Sequence, residues 1–126
     1  MRRLQLSTVM VATLLSLAIA GCATQGDQRA GVRKQVDSVH VLAGEYQGYR
    51  YPGSRPAFLR VQADGSYQTW SSLPDEPRNI GTLSLRNGRV YYKATTEGEL
   101  LVFENDGRIT VQFFRDSQVF GEFTRR

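Results

Sequence analysis

The chain has very few of the residues that carry most enzyme and metal chemistry, with one cysteine and one histidine among its 126 residues. Because Cys22 is the only cysteine, no disulfide can form within the chain. His40 adds one imidazole, which is too little for a metal cluster or for a Ser-His-Asp arrangement. A glycine-rich phosphate loop is also missing. We therefore expect no metal, no cofactor and no enzyme activity.

A hydrophobic run long enough to cross a membrane is missing as well. The most apolar segment runs from Val9 to Ala20, whereas a spanning helix needs about 20 mostly apolar residues. Polar residues precede or interrupt it: Gln5, Ser7, Thr8, Thr13 and Ser16. Arg2 and Arg3 come before this segment, and small residues end it, which is typical of an export signal. We predict a cleaved signal peptide over residues 1–21.

The segment ends in Ile19-Ala20-Gly21-Cys22, which resembles the lipobox of bacterial lipoproteins. The resemblance implies that lipid is attached to the Cys22 thiol and that signal peptidase II cuts between Gly21 and Cys22. Two or three acyl chains would retain the protein at a membrane, which a single chain does only marginally. Position 23 is Ala and not Asp, which implies sorting to the periplasmic leaflet of the outer membrane. The alternative is an ordinary cleavage site beside an incidental cysteine.

The mature chain has little excess of positive charge. Cleavage leaves 105 residues and removes two of the 16 basic residues, so 14 basic residues face 12 acidic ones. The arginines are scattered along the chain, whereas nucleic-acid binding needs a clustered basic face with interleaved aromatic residues. We expect no nucleic-acid partner.

Residues 22–38 are rich in Gln, Gly, Ala and charge, which predicts a flexible tether that reaches up to about 55 Å when fully extended. Val32, Val36, Val39 and Ala43 have the spacing of one helical face, and Gly44 follows where a helix would end. Residues 32–43 are therefore either a short helix or a linker that runs into an edge strand. The folded domain is predicted to span residues 39–126.

From Gly44 onward, the dipeptides Asp64-Gly65, Asn87-Gly88, Glu97-Gly98 and Asp106-Gly107 separate segments rich in Val, Tyr, Phe, Thr and Leu. This is the hairpin signature, and no helical period of useful length accompanies it. The prediction is an all-β domain in which eight antiparallel strands form a meander. The strands are placed near 45–51, 57–63, 66–72, 79–86, 89–95, 99–105, 108–114 and 118–124.

Turn lengths predict which side chains share a face, because the faces of a strand alternate. A two-residue turn at Asn87-Gly88 pairs Leu85 with Val90, and another at Glu97-Gly98 pairs Tyr92 with Phe103. Three-residue turns are expected at 105–107 and 115–117. The predicted interior comprises Leu59, Val61, Leu83, Leu85, Tyr92, Leu101, Phe103, Ile109, Val111, Phe113 and Phe123. Such bulk favours a packed, lipocalin-like barrel that is closed or partly open; two small packed sheets are the alternative.

The same register turns several apolar side chains outward on the last strands: Tyr91, Leu100, Val102, Phe114 and Phe120. Contiguous apolar surface marks either a covered region or a binding site. We predict an interaction surface there. The simpler interpretations are that residues 32–43 cover these side chains or that some of the faces are misassigned.

Two further resemblances concern the β-domain. Gly44-Glu45-Tyr46-Gln47-Gly48 and Asp64-Gly65-Ser66-Tyr67 resemble the opening meander of small envelope lipoproteins that sense copper and surface adhesion. Those proteins carry a CxxC motif that this chain lacks, so copper or redox function does not transfer. The predicted architecture also resembles that of membrane-bound inhibitors of C-type lysozyme, which hold a disulfide inside an eight-stranded barrel.

These observations predict a lipid-anchored, non-enzymatic module that binds an envelope protein or the cell wall. Asp75-Glu76, between Pro74 and Pro77, could form a catalytic carboxylate pair with Glu45, but a charged loop between prolines is usually solvent-facing. The alternative functions are a carrier of a small apolar ligand, which requires an interior void of a few hundred Å³, and a lysozyme-inhibitor-like protein.

Overall fold

A computed structural model describes residues 31–126, which form nine strands and one short 3₁₀ helix. The strands are β1 (Val32–Arg33), β2 (Gly44–Arg50), β3 (Arg55–Val61), β4 (Ser66–Ser71), β5 (Asn79–Arg86), β6 (Arg89–Lys93), β7 (Glu97–Asn105), β8 (Arg108–Arg115) and β9 (Gln118–Arg125), and the 3₁₀ helix is Val39–Leu42. The all-β prediction is confirmed, and β2–β9 correspond to the eight predicted strands. Within residues 31–126, no helix has the length and apolar character needed to span a membrane.

Strands β2 to β9 form a closed antiparallel barrel. Each strand pairs with the next along the chain, and β9 pairs back onto β2, with Gly48 opposite Phe123. Closure leaves none of these eight strands with an unpaired edge, which removes a common route to aggregation. The alternatives of an open roll and of two packed sheets are therefore excluded.

The interior is filled by aromatic side chains that lie opposite glycines on neighbouring strands. The cross-strand pairs are Tyr67 with Gly81, Tyr92 with Gly98, Phe113 with Gly121, and Phe123 with Gly48. A methyl group on Gly81 would lie 2.5 Å from the Tyr67 hydroxyl oxygen, so the ring occupies the space that a side chain would need. This pairing lets large rings cross a narrow barrel and leaves little empty volume at its centre.

The predicted face of β7 is wrong. The turn before β7 lies at 94–96 and not at Glu97-Gly98, so Tyr92 pairs with Gly98. Because the register differs from the expected one by an odd number of residues, every side chain of β7 changes face. Leu100 and Val102, predicted to face outward, are 2% and 3% exposed and belong to the core. The predicted interior residues of this strand, Leu101 and Phe103, lie on the opposite face, with Phe103 under the Arg33 guanidinium.

The remaining registers give the expected faces except at the start of β9. There the turn is one residue shorter than predicted and Phe114 pairs with Val119, so Phe120 packs against the core, and a bulge at Phe113/Phe114 restores the expected face for Phe123. The Asn87-Gly88 turn has positive φ at both residues, and it pairs Leu85 with Val90 as predicted. The β7–β8 turn is shorter by one residue than predicted, because Asn105 pairs directly with Arg108. This second odd shift returns β8 to its predicted orientation, so that Val111 and its inward neighbours Ile109 and Phe113 are buried.

The segment before the barrel differs from the expected tether. Residues 31–38 lie against the barrel: β1 pairs with β7 beyond the end of β6, with Val32 opposite Glu104. Val36 is 1% exposed, and Leu42 in the 3₁₀ helix is fully buried. Of the two structures considered for residues 32–43, an α-helix is not formed; a two-residue strand is followed by one 3₁₀ turn. This segment covers one end of the barrel.

The two ends of the barrel are therefore different. The closed end carries the 3₁₀ helix and the turns at 62–65, 87–88 and 106–107. The Tyr46 hydroxyl donates a 2.6 Å hydrogen bond to the Leu42 carbonyl there, which ties the 3₁₀ helix to β2. The opposite end, here called the mouth, carries the connections 51–54, 72–78, 94–96 and 116–117.

Candidate functional site

An inward-facing arginine lies at the mouth. Tyr46, Gly48 and Arg50 alternate along β2 with their side chains toward the interior, and Arg50 is the last of them. A cationic group so placed needs hydrogen-bonding and charged partners to offset the loss of hydration. The Arg50 guanidinium donates to Thr69 Oγ1 at 2.8 Å and to a carboxylate oxygen of Glu76.

Glu76 belongs to the 72–78 loop and has three donors around its carboxylate. Arg50 Nη1 donates to Oε1, whereas Ser71 Oγ and Arg55 Nη1 donate to Oε2 at 2.7 and 3.4 Å. The Ser71 hydrogen bond, followed by the charges of Arg50 and Arg55, lowers the pKa of Glu76 below its ordinary value of 4.5. The carboxylate is therefore ionised at neutral pH and is poorly suited to act as an acid or a base.

The predicted carboxylate pair is not formed. Glu45 is the second residue of β2, at the closed end, where its side chain pairs with Arg60 at 2.7 Å and with Arg126 at 3.5 Å. Glu76 lies at the mouth, and the neighbouring Asp75 is exposed. The two regions of the chain that could have supplied acid and base thus lie at opposite ends of the barrel.

A small cavity of about 50 Å³ lies beside Arg50, which forms part of its wall. Arg50, Thr69 and Asn79 contribute polar groups to its wall, and Tyr92 and Phe120 contribute aromatic rings. This volume accommodates about one or two water molecules. It is far below the few hundred Å³ that a carrier of a small apolar ligand requires.

Tyr92 is the one buried side chain with an unsatisfied polar atom among residues 31–126. It is 3% exposed, and its hydroxyl has no hydrogen-bond partner within that part of the chain. Its ring packs edge-on against Phe113 and Phe120, at centroid distances of 5.1 and 5.8 Å. Burial raises the pKa of Tyr92, so the hydroxyl remains protonated and able to donate.

The predicted outward apolar surface is not formed as a contiguous patch. Leu100 and Val102 are core residues, as described above, and Phe120 packs against the core beside Tyr92. Tyr91 and Phe114 remain, both partly buried. The interpretation that some faces were misassigned is correct for β7, and the five residues do not share one surface.

Arginine side chains cover several of the aromatic rings on the outer wall. The guanidinium of Arg86 lies 4.0 Å from the Tyr91 ring centroid, and that of Arg78 lies 4.3 Å from the Trp70 centroid. Such stacking shields the ring faces from water while the charge stays solvated. The outer wall of β4 to β6 therefore presents guanidinium groups in place of bare rings at these positions.

The large apolar side chains that remain exposed lie near the two ends of the barrel. Tyr49, Tyr51, Leu73 and Ile80 are near the mouth, with exposed fractions of 50%, 36%, 55% and 65%. Val32 and Val41 are exposed near the closed end. The mouth thus combines exposed apolar groups with the partly buried Arg50 and the cavity beside it.

An open groove of about 580 Å³ also runs along the outer wall of β2, β3 and β9. It is larger than the cavity at the mouth, but the partners of its arginines do not converge on one group. Arg125 donates to the carbonyls of Val41 and Ala43, and Arg126 pairs with Glu45. The mouth is the stronger candidate because its donors converge on one point beside a cavity.

The remaining predicted site residues are placed as follows. Gly21 and Cys22 lie outside the described residues, as does the whole predicted signal peptide. His40 lies in the 3₁₀ helix at the closed end, where its Nδ1 is 2.7 Å from Ser38 Oγ. Residues 31–126 contain no group of three His, Cys, Asp or Glu side chains placed to hold a metal ion.

The predictions missed the Arg50–Glu76 pair. The alternation of Tyr46, Gly48 and Arg50 is the signal that could have placed Arg50 inside the barrel. Comparisons with protein-family models, with curated proteins and with solved structures found no match to this chain.

Proposed function

We propose that the protein is a lipid-anchored, non-enzymatic binding module at the periplasmic face of the outer membrane, and that it binds its partner at the mouth of the barrel. The observation that carries this proposal is the difference between the two ends. The described chain starts at Gly31, beside Glu104 and Asn105 at the closed end. The exposed apolar side chains of Tyr51 and Leu73 lie at the other end.

The length of the tether supports this orientation. If Cys22 carries lipid, the nine steps from Cys22 to Gly31 span at most about 30 Å when fully extended. This is shorter than the tether expected from the sequence, because residues 31–38 are part of the folded domain. The closed end is thus kept within that distance of the bilayer, and the mouth is free to face away from it.

The chemistry of the mouth supports binding over catalysis. The partly exposed carboxylate of Glu76 is held ionised by Ser71 and two arginines. Tyr92 is protonated and buried, without a neighbouring base among the hydrogen bonds of the described chain. A carrier function is not supported, because the cavity of about 50 Å³ is too small for it.

Metabolic labelling with an alkyne fatty acid in a Gram-negative host tests the anchor. The wild-type chain should be labelled and should sediment with the outer membrane, whereas Cys22→Ser should lose both properties. Unchanged labelling of the Cys22→Ser variant would contradict the anchor.

Charge substitutions at the mouth test which end of the barrel binds the partner. Tyr51→Glu and Leu73→Glu should reduce co-sedimentation of the purified mature protein with envelopes from a strain that lacks it. Tyr91→Glu on the side wall is the matched control and should have no effect. Equal loss in all three variants would exclude the mouth as the binding end.

A further inference from the structure

We propose that the mouth is a binding site for a carboxylate of an acidic peptide, and that Glu76 occupies this site as an intramolecular ligand. The inference rests on the proposed function, because it names the chemistry that the mouth would bind. Its basis is the convergence of donors from three strands on a single carboxylate from a loop.

The donors form a preorganised set. Arg50 is on β2, Arg55 on β3, and Ser71 and Thr69 are on β4, and these three strands are neighbours in the barrel. Two guanidinium groups and one hydroxyl contact the Glu76 carboxylate, and Thr69 fixes the other nitrogen of Arg50. Arginine forks suit planar carboxylates, and hydrogen bonds between charged groups are stronger than neutral ones.

Glu76 and its loop, in contrast, are held at the mouth mainly through the Glu76 carboxylate. Within the described chain, the backbone hydrogen bonds of the 72–78 loop are local: the Glu76 amide donates to the Leu73 carbonyl, and the Leu73 amide donates to Ser71 Oγ. Arg78 holds the end of the loop through Gln68 and Trp70. A competing carboxylate could therefore displace Glu76 without breaking any pairing between strands.

The cavity beside the site offers a place for a second polar group of the ligand. Its wall includes Tyr92, whose hydroxyl is buried and has no hydrogen-bond partner within residues 31–126. Leaving such a donor unsatisfied costs about 1–3 kcal/mol. A peptide carbonyl or a second carboxylate oxygen that enters after the loop moves would accept this hydrogen bond, and Phe120 would cover its apolar side.

The charge around the site favours one carboxylate over a polyanion. Arg50 and Arg55 carry two positive charges, and Glu76 compensates one of them. Two further acidic side chains lie at the mouth, Glu97 at the start of β7 and Asp116 in the β8–β9 turn, and they pair with Lys93 and Arg115 at 3.7 Å each. Because each of these carboxylates has a basic partner, the mouth carries no large excess of positive charge beyond the one charge that Glu76 leaves uncompensated on Arg50 and Arg55, and one added carboxylate matches it.

Titration of the mature chain, followed by amide NMR, tests the proposal. The Cys22→Ser background keeps the protein soluble, and the probe is N-acetyl-glutamate α-amide, which presents one side-chain carboxylate as Glu76 does. Glu76→Gln should bind the probe at least tenfold more tightly than the Glu76 chain, with shifts at Thr69 and Ser71. Glu97→Gln is the matched control and should match the Glu76 chain.

Three results would overturn the proposal. They are equal affinity in the Glu76→Gln and Glu76 chains, undiminished affinity when Arg50→Met is added to Glu76→Gln, and equally tight binding of N-acetyl-glutamine α-amide or inorganic phosphate. If Glu76→Gln does not fold, Glu76→Asp withdraws the carboxylate while keeping its charge, and it should show an intermediate gain. Failure of these titrations would not contradict the lipid anchor or the co-sedimentation result for Tyr51→Glu and Leu73→Glu, so the two proposals can be tested separately.

Discussion

Replacement of Gly48 by alanine is expected to destabilise the barrel more than any other glycine substitution on its inner face. Gly48 lies on β2 opposite Phe123 of β9, at the pairing that closes the barrel. A methyl group at this position would lie 2.8 Å from both the Glu122 carbonyl carbon and the Phe123 Cα, and closer still to the Glu122 oxygen. All three atoms belong to the backbone, so no side-chain rotation can relieve the overlap.

The size of the stability loss follows from how far β2 and β9 must separate to admit the methyl group. Ordinary contact with a methyl group needs at least about 3.4 Å, so β2 and β9 must separate by more than half an ångström. Overpacking typically costs about 1–3 kcal/mol, and each ladder hydrogen bond that is weakened costs up to about 1 kcal/mol. We expect a loss of about 3 kcal/mol or more, which lowers the melting temperature of a domain of this size by roughly 12–24 °C.

Gly121→Ala is the matched control, because it is also an inner-face glycine on β9. Its nearest neighbour would be Phe123 Cε2 at 3.1 Å, which is the far end of a side chain that can shift slightly. Its effect should stay within about 1 kcal/mol. Urea unfolding of both variants, followed by circular dichroism, gives the two free energies. A Gly48→Ala variant as stable as Gly121→Ala would refute the close approach of β2 and β9.

Three other predictions concern the core, the mouth and a buried hydroxyl. Leu100→Ala should lower the free energy of unfolding in urea by about 2–5 kcal/mol, and Leu101→Ala by less than half of that. A larger loss for Leu101→Ala than for Leu100→Ala would show that Leu101, and not Leu100, faces the core. Folding lowers the pKa of Glu76, so the stability that its ionised carboxylate contributes is complete above the ordinary pKa of 4.5 and is lost as the pH falls below that value. Below pH 4.5, hydrogen exchange of the amides in the 72–78 loop should therefore accelerate relative to their intrinsic exchange rates, and the amides of the strands should not show this acceleration. Tyr92→Phe removes an unpaired hydroxyl and should be neutral or stabilising, whereas Tyr46→Phe loses the hydrogen bond to Leu42 and should cost about 1 kcal/mol in the same unfolding assay.

The strand pattern was accessible from the sequence because turn chemistry and alternation are local. Asn87-Gly88 and Asp106-Gly107 both form turns with positive φ, as their residue types predict. Gly98 is misleading for a physical reason: the Glu97-Gly98 dipeptide predicts a turn, but Gly98 lies in β7, where it makes room for the Tyr92 ring. A glycine needed for packing cannot be distinguished locally from one needed for a turn, and the misassigned face of β7 followed from this ambiguity.

The candidate site was less accessible, because it depends on contacts between distant parts of the chain. The alternation along β2 places Arg50 inside the barrel, but its partner Glu76 is 26 residues away, in a loop that has no periodic pattern. Residues 31–38 were similarly misassigned because their polar composition is typical of a linker, whereas the single side chain of Val36 anchors them to the core. Local composition does not report such isolated tertiary contacts.

The central claim, that the membrane-anchored protein binds through the mouth of its barrel, is tested most directly by site-specific photocross-linking in cells. A benzoylphenylalanine residue is placed at Tyr51 at the mouth or at Tyr91 on the side wall, each with and without Arg50→Met. The account predicts an adduct from position 51 that is lost with Arg50→Met, and none from position 91. Adducts from position 91 together with none from position 51 would contradict it.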